Sequence, residues 1–179
     1  MRLVFPATIS LFLALMLSER NALAQDWGWR GPTGNGIAAD GQSVPAEWSA
    51  EKNVLWSADV PGRGHSSPVI GAGKIFLTTA DEVNQTQSAV CYDQATGKQL
   101  WNTQLHSGGF VRRIDRNNTQ ASPTVAFGDD HVFAVFCTND AVQVNCLDLE
   151  GNPVWHEEIG PWVPSRYQFG FGQSPIFYD

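Results

Sequence analysis

The sequence predicts an all-β chain assembled from a four-stranded unit that is used more than once. Three observations predict it. A Ser-Pro dipeptide and a Trp recur at near-constant spacing, short β-branched and aromatic runs alternate with Gly-containing turns, and no amphipathic helical period follows the N-terminal apolar run. Ser67-Pro68 returns 55 residues later as Ser122-Pro123, and Trp101 returns 54 residues later as Trp155. Ser174-Pro175 opens a third copy after a further 52, and Trp56 closes an earlier one. The period is slightly longer than the ~40–50 residues of common propeller repeats. The excess lies in the links 102–121 and 156–173.

Within the first full copy, Pro68-Val69-Ile70 reads as a short inner strand and Gly71-Ala72-Gly73 as its turn. Lys74 to Thr79 has the β-branched, aromatic content of a buried strand, and Ser88 to Asp93 alternates and returns antiparallel. Ala95-Thr96-Gly97 makes a tight turn into a fourth strand, Gln99 to Thr103, which carries Trp101. The second copy repeats the order: Pro123–Phe127, His131–Cys137, Val142–Asp148, the turn Glu150-Gly151-Asn152, then Val154–Ile159. Four short antiparallel strands per period make the unit of a β-propeller blade. The chain therefore divides into a leader, 1–24, an irregular Trp-, Gly- and Pro-rich lead-in, 25–52, and about two complete blades plus partial ones over 53–179. Closed propellers use about four to eight blades, so an incomplete ring is expected.

The leader combines Arg2, an apolar run from Leu3 to Leu17 and an Ala22-Leu23-Ala24 exit, the pattern of a cleaved secretory signal peptide. The run falls short of the ~20 residues that a spanning helix needs. These residues predict an exported chain, periplasmic or secreted, without a transmembrane segment after cleavage. The formal charge of −7 opposes nucleic-acid binding. Three Cys in an exported chain leave at least one thiol unpaired. Cys137 and Cys146 stand on successive strands and could approach; the alternative is three small buried apolar residues.

The phrases SPVIGAGKIFLTT…AVCYDQATGKQLW and SPTVAFGDDHVFAVF…VNCLDLEGNPVW resemble the pyrroloquinoline-quinone-like (PQQ-like) propeller repeat. Asp93, Thr96, Gly97 and Trp101 match its turn-and-Trp motif, and Asp148, Gly151 and Trp155 keep most of it. The resemblance implies a β-propeller and two kinds of function. One branch consists of scaffolds like BamB, which bind protein partners of the cell envelope without chemistry. The other consists of dehydrogenases that oxidise alcohols or sugars with PQQ and calcium. The sequence has neither the adjacent Cys pair common in the enzyme branch nor a C-x-x-C-H haem site. A scaffold with no cofactor is thus the leading expectation, and a dehydrogenase fragment with PQQ and calcium the alternative.

By the same resemblance, the links 62–68, 117–123 and 170–175 gather at one channel mouth. Arg63, His65, Ser66, Asn118, Gln120 and Gln173 then become candidate ligand- or partner-binding residues. Ordinary loop polarity and hydrogen bonds to strand ends account for the same residues. Arg112, Arg113 and Arg116 form a basic cluster in an acidic chain, suited to a carboxylate or acidic partner, or paired locally with Asp115. Trp162 and Arg166, with Tyr167, Phe169 and Phe171, make the following link a candidate recognition loop or a packing element. The four His show no metal-ligand spacing, and no acid–base pair or catalytic nucleophile emerges.

Overall fold

The computed structural model describes residues 30–31, 34–37, 41, 45–164 and 169–178. The leader, part of the lead-in including Trp27 and Trp29, and the candidates Arg166 and Tyr167 lie outside these residues. Eight strands fill two antiparallel sheets in sequential order. The first sheet contains β1 (Val69–Gly71), β2 (Lys74–Asp81), β3 (Thr86–Asp93) and β4 (Gln99–Ser107). The second contains β5 (Ala126–Gly128), β6 (His131–Thr138), β7 (Ala141–Leu147) and β8 (Pro153–Pro161). No described residue is helical, and among them no helix is long and apolar enough to cross a membrane. This is the four-stranded propeller blade that the repeat predicts, present twice.

The strands differ from the sequence reading mainly at their ends. β4 runs to Ser107 rather than Thr103, and β8 to Pro161 rather than Ile159. Register shifts at Gln87/Ser88 and Cys91/Tyr92 recur at Val142/Gln143 and Cys146/Leu147. Such bulges increase local twist and let an outer strand follow its neighbour for longer. β1 keeps its expected length one residue later, whereas β5 is shorter than expected because the residues before it bond elsewhere. Pro123 O accepts the Thr78 hydroxyl at 2.9 Å, and Thr124 N donates to Ser174 Oγ at 2.9 Å. The segment Ser122–Val125 therefore joins neighbouring units instead of pairing with β6.

The two blades share one core. Phe76, Ala89 and Cys91 from the first cluster with Val132, Phe136 and Leu147 from the second. Phe76, Phe136 and Leu147 are fully buried, each contributing roughly 1.5–3 kcal/mol relative to exposure. Phe127 stacks on Phe76 with ring centroids 5.6 Å apart and covers Gly71, where any Cβ would strike its ring. Phe177 repeats the arrangement on Phe133, at 5.8 Å, over Gly128. Phe177 thus packs on the second blade as Phe127 packs on the first.

A polar stitch reinforces the seam. Gln87 is fully buried and donates Nε2 to Gln120 O at 2.7 Å. His106 Nε2 lies 3.0 Å from Asn145 Nδ2, and its ring meets Phe136 edge-on at 5.7 Å. The amide donates, so the imidazole accepts and is neutral at that nitrogen. Burial first, and the neighbouring His156 second, lower the His106 pKa from 6.5 to about 4.

The Cys-x-Asp-turn-Trp phrase works as a building unit. Asp93 Oδ1 accepts Thr96 N at 2.8 Å and Thr96 Oγ1 at 2.7 Å; these bonds hold its carboxyl below the usual range. In the second copy Asn152 replaces the Thr, giving Asp148 its backbone N–H at 2.8 Å and its Nδ2 at 2.9 Å. Gly97 (φ +70°) and Gly151 (φ +84°) occupy left-handed backbone. Each leaves a flat floor on which a preceding Trp lies. Trp56 donates Nε1 to Gln94 O at 3.0 Å over Gly97, and Trp101 donates to Leu149 O at 3.0 Å over Gly151. A Cβ on Gly151 would sit 2.6 Å from the Trp101 ring.

Trp155 departs from this packing, which the repeat predicts for all three rings. It is 44% exposed and rests on Phe133 of its own blade, with ring centroids 6.0 Å apart. No described turn covers it. The cysteines are all free and buried, so the Cys137–Cys146 approach does not occur. Cys137 stands opposite Val142 and Cys146 opposite Phe133, several rungs apart. Burial raises the Cys91 thiol to about 12 and Cys137 to about 11.

Two stability measurements test this description. Trp101→Ala should cost about 2–4 kcal/mol in urea unfolding, the lower part of the range reflecting a half-buried ring. Gly151→Ala should cost about 1–3 kcal/mol by straining the same contact. The His106 pKa is depressed on folding, so the unfolded chain binds the extra proton first. Stability should therefore fall as pH drops from about 6.5 towards 4, and His106→Gln should flatten that slope in pH-dependent thermal melts.

Candidate functional site

Each blade has two ends. The β2–β3 and β6–β7 turns share one end with the links 61–68 and 108–125 and with residues 162–164 and 169–173. The Asp-to-Gly turns occupy the other. The candidate site is the link end, since the turn end is committed to Trp packing.

The links 62–68 and 117–123 meet where His65 N donates to Ala121 O, but their polar groups are largely spent on β2, on Phe169 and within the links themselves. Arg63 pairs with the edge of β2 through its backbone, N to Ala80 O at 2.8 Å and O to Ala80 N at 3.0 Å. Its guanidinium reaches Glu82 at 3.4 Å and Arg116 O at 3.3 Å. Ser66 Oγ accepts Thr78 N at 3.0 Å and donates to Thr78 O at 3.2 Å, extending the inner edge of the sheet by a side chain. His65 N donates to Ala121 O at 3.0 Å, while its ring is exposed. Asn118 Nδ2 donates to Phe169 O at 2.5 Å, and its Oδ1 accepts Thr119 N and the Ser122 hydroxyl. Gln173 is exposed.

Gln120 has a different role from the one its position in the sequence suggests. Its Oε1 accepts Val111 N at 3.2 Å and its Nε2 donates to Val111 O at 2.9 Å. This two-point clamp holds the start of the link 108–120. Gly108 N donates to Gln85 O at 2.8 Å, and Asn139 N donates to Gly109 O at 2.7 Å. The link is thereby pinned to both hairpin turns at this end.

On either side of the pinned link lies a cavity. The larger, about 580 Å³, is lined by Glu82 and Gln85 of the β2–β3 turn and by Phe110, Val111, Arg112, Ile114 and the predicted candidate Gln120 of the link. The smaller, about 180 Å³, is lined by Val111, Arg112, Arg113, Asp140, Trp162 and Val163. Val111 and Arg112 line both, so the two cavities adjoin along the pinned link and together make up the trough of this end. Arg112 and Arg113 are exposed, and neither has an ion-pair partner among the described residues. Arg116 lines neither cavity, so the structure divides the basic cluster. Trp162 packs edge-on against the buried Phe171, centroids 5.7 Å apart, while Phe169 is 61% exposed. The aromatic link is thus partly a packing element and partly a wall of the trough.

Sequence reasoning did not pick out Phe110, Ile114 or Val163. Their hydrophobicity in a polar link was the available signal. Among the described residues no three His, Cys, Asp or Glu side chains converge.

Two blades with Ser-Pro openings and Trp-capped turns define a PQQ-like β-propeller segment whose variable face is its link end. Residues 24–163 match the family model described as outer membrane protein assembly factor BamB, and the chain belongs to that family. No curated protein matches it. Among solved structures it is similar to a europium-containing methanol dehydrogenase, with 23% identity and a TM-score of 0.40. The alignment covers 51% of this chain and spans only 15% of the dehydrogenase.

The clamp makes a measurable claim. Gln120→Ala should free the link and accelerate trypsin cleavage after Arg112 and Arg113, with a stability loss of about 1–2 kcal/mol for two hydrogen bonds.

Proposed function

We propose that the chain belongs to an exported, non-catalytic propeller scaffold that binds a protein partner in the cell envelope through its link end. In this reading residues 1–24 are a cleaved signal peptide, and the scaffold works without PQQ or calcium. One observation carries the reading. The side chains of Ser66, Asn118 and Gln120 are engaged with Thr78, Phe169 and Val111, whereas Arg112, Arg113 and Trp162 border an accessible trough, with no hydrogen-bond or ion-pair partner for either arginine among the described residues. A surface trough with mixed cationic and aromatic walls suits a protein segment. Membership of the BamB family supports the same reading.

A photo-crosslinking residue at Val163, on the link end, should capture a protein from the envelope fraction. The same residue at Thr96, on the turn end, should not. PQQ titrated with calcium should give no saturable change in its absorbance. Equal capture from both ends, or stoichiometric quinone binding, would overturn the proposal.

A further inference from the structure

The trough crossing Val111 and Arg112 has more specific chemistry than a generic contact surface. Two cavities flank one pinned link and share Val111 and Arg112 in their walls. The two cations of the trough are Arg, whose planar fork engages a carboxylate through two parallel hydrogen bonds. Arg112 lines both cavities and Arg113 the smaller, and neither has an ion-pair partner among the described residues, in a chain of net charge −7. Phe110 and Ile114 supply apolar surface on one side, Trp162 and Val163 on the other. Glu82 lines the larger cavity and Asp140 the smaller, so a uniformly anionic polymer meets a carboxylate in each. A segment with carboxylates at its centre and apolar side chains flanking them avoids that repulsion. The link is fixed beforehand by Gln120, Gln85 and Asn139, which reduces the ordering cost of binding.

We infer that this trough accepts an extended segment of a partner protein, with its carboxylates on Arg112 and Arg113 and its apolar side chains beside Phe110 and Trp162. The inference rests on the scaffold reading and names the chemistry of the partner's docking segment.

The test uses the full chain and two fluorescently labelled peptides, one alternating Glu with Leu and one alternating Lys with Leu. The acidic peptide should bind and should weaken as salt is raised. The double substitution Arg112→Glu/Arg113→Glu should reduce its affinity by about tenfold or more and confer binding of the basic peptide. Arg116→Glu, outside both cavities, should leave acidic-peptide binding unchanged. A reversal of peptide preference cannot arise from a loss of folding, which would abolish binding of both. The inference is overturned if the acidic peptide does not bind, or binds the charge-reversed chain equally well. If crosslinking from Val163 captures a protein while the acidic peptide fails, only this inference falls; if both fail, the scaffold reading falls with it.

Discussion

A four-stranded blade has two faces that water disfavours and no way of covering both, so the packing of one blade on the next governs this structure. The shared core from Phe76 to Leu147 is dry and close-packed. Within it, small residues such as Ala89, Ala134 and Cys91 let the sheets approach, and Phe127 fills the space over Gly71. At the turn end the contact is Trp on glycine. A ring lies flat where a Cβ would stand, and its N–H meets a turn carbonyl that would otherwise face apolar surface. The repeated Gly is required twice over, by its left-handed φ and by the ring above it.

This division of labour frees the link end. Once the core and the turn end hold the blades together, the links need only close hydrogen bonds between strand ends. Most of their polar groups do so, and Ser66 and Asn118 are sutures of this kind. The link 108–120 goes further. Held at its two ends and clamped by Gln120, it presents Arg112 and Arg113 on a fixed backbone instead of a mobile one. Binding surfaces on loops gain from this kind of support, because the entropy of ordering is lost during folding and not at the moment of binding.

The seam also contains a proton-sensitive element. His106 accepts from Asn145 and is enclosed by Phe136, so a proton on its Nε2 would remove a hydrogen bond and place charge in a poorly solvated position. The cysteines behave in the opposite way. Their raised thiol pKa values and buried positions make them space-filling groups between sheets, consistent with Cys91 and Cys146 holding the same strand position.

The sequence by itself determined the blade. Ser-Pro openings, β-branched runs and the Asp-to-Gly turn closed by Trp are local signals, each set by backbone sterics or by hydrogen bonds within a few residues. Their recurrence is enough to specify strand order and pairing. It also marked Arg112, Arg113 and Trp162 as unusual for an acidic chain. Tertiary structure decided what these residues do. Gln120 and Asn118 looked available because their partners, Val111 and Phe169, are brought near only when the links fold back over the blades. Arg116 looked equivalent to its neighbours because three close residues share a sequence environment, yet the turn at Asp115–Asn118 carries it away from both cavities. Trp155 looked equivalent to Trp101, but whether a ring is buried depends on the turn that covers it, which belongs to another unit. Local chemistry is written along the chain; a trough between two links exists only where separate segments meet.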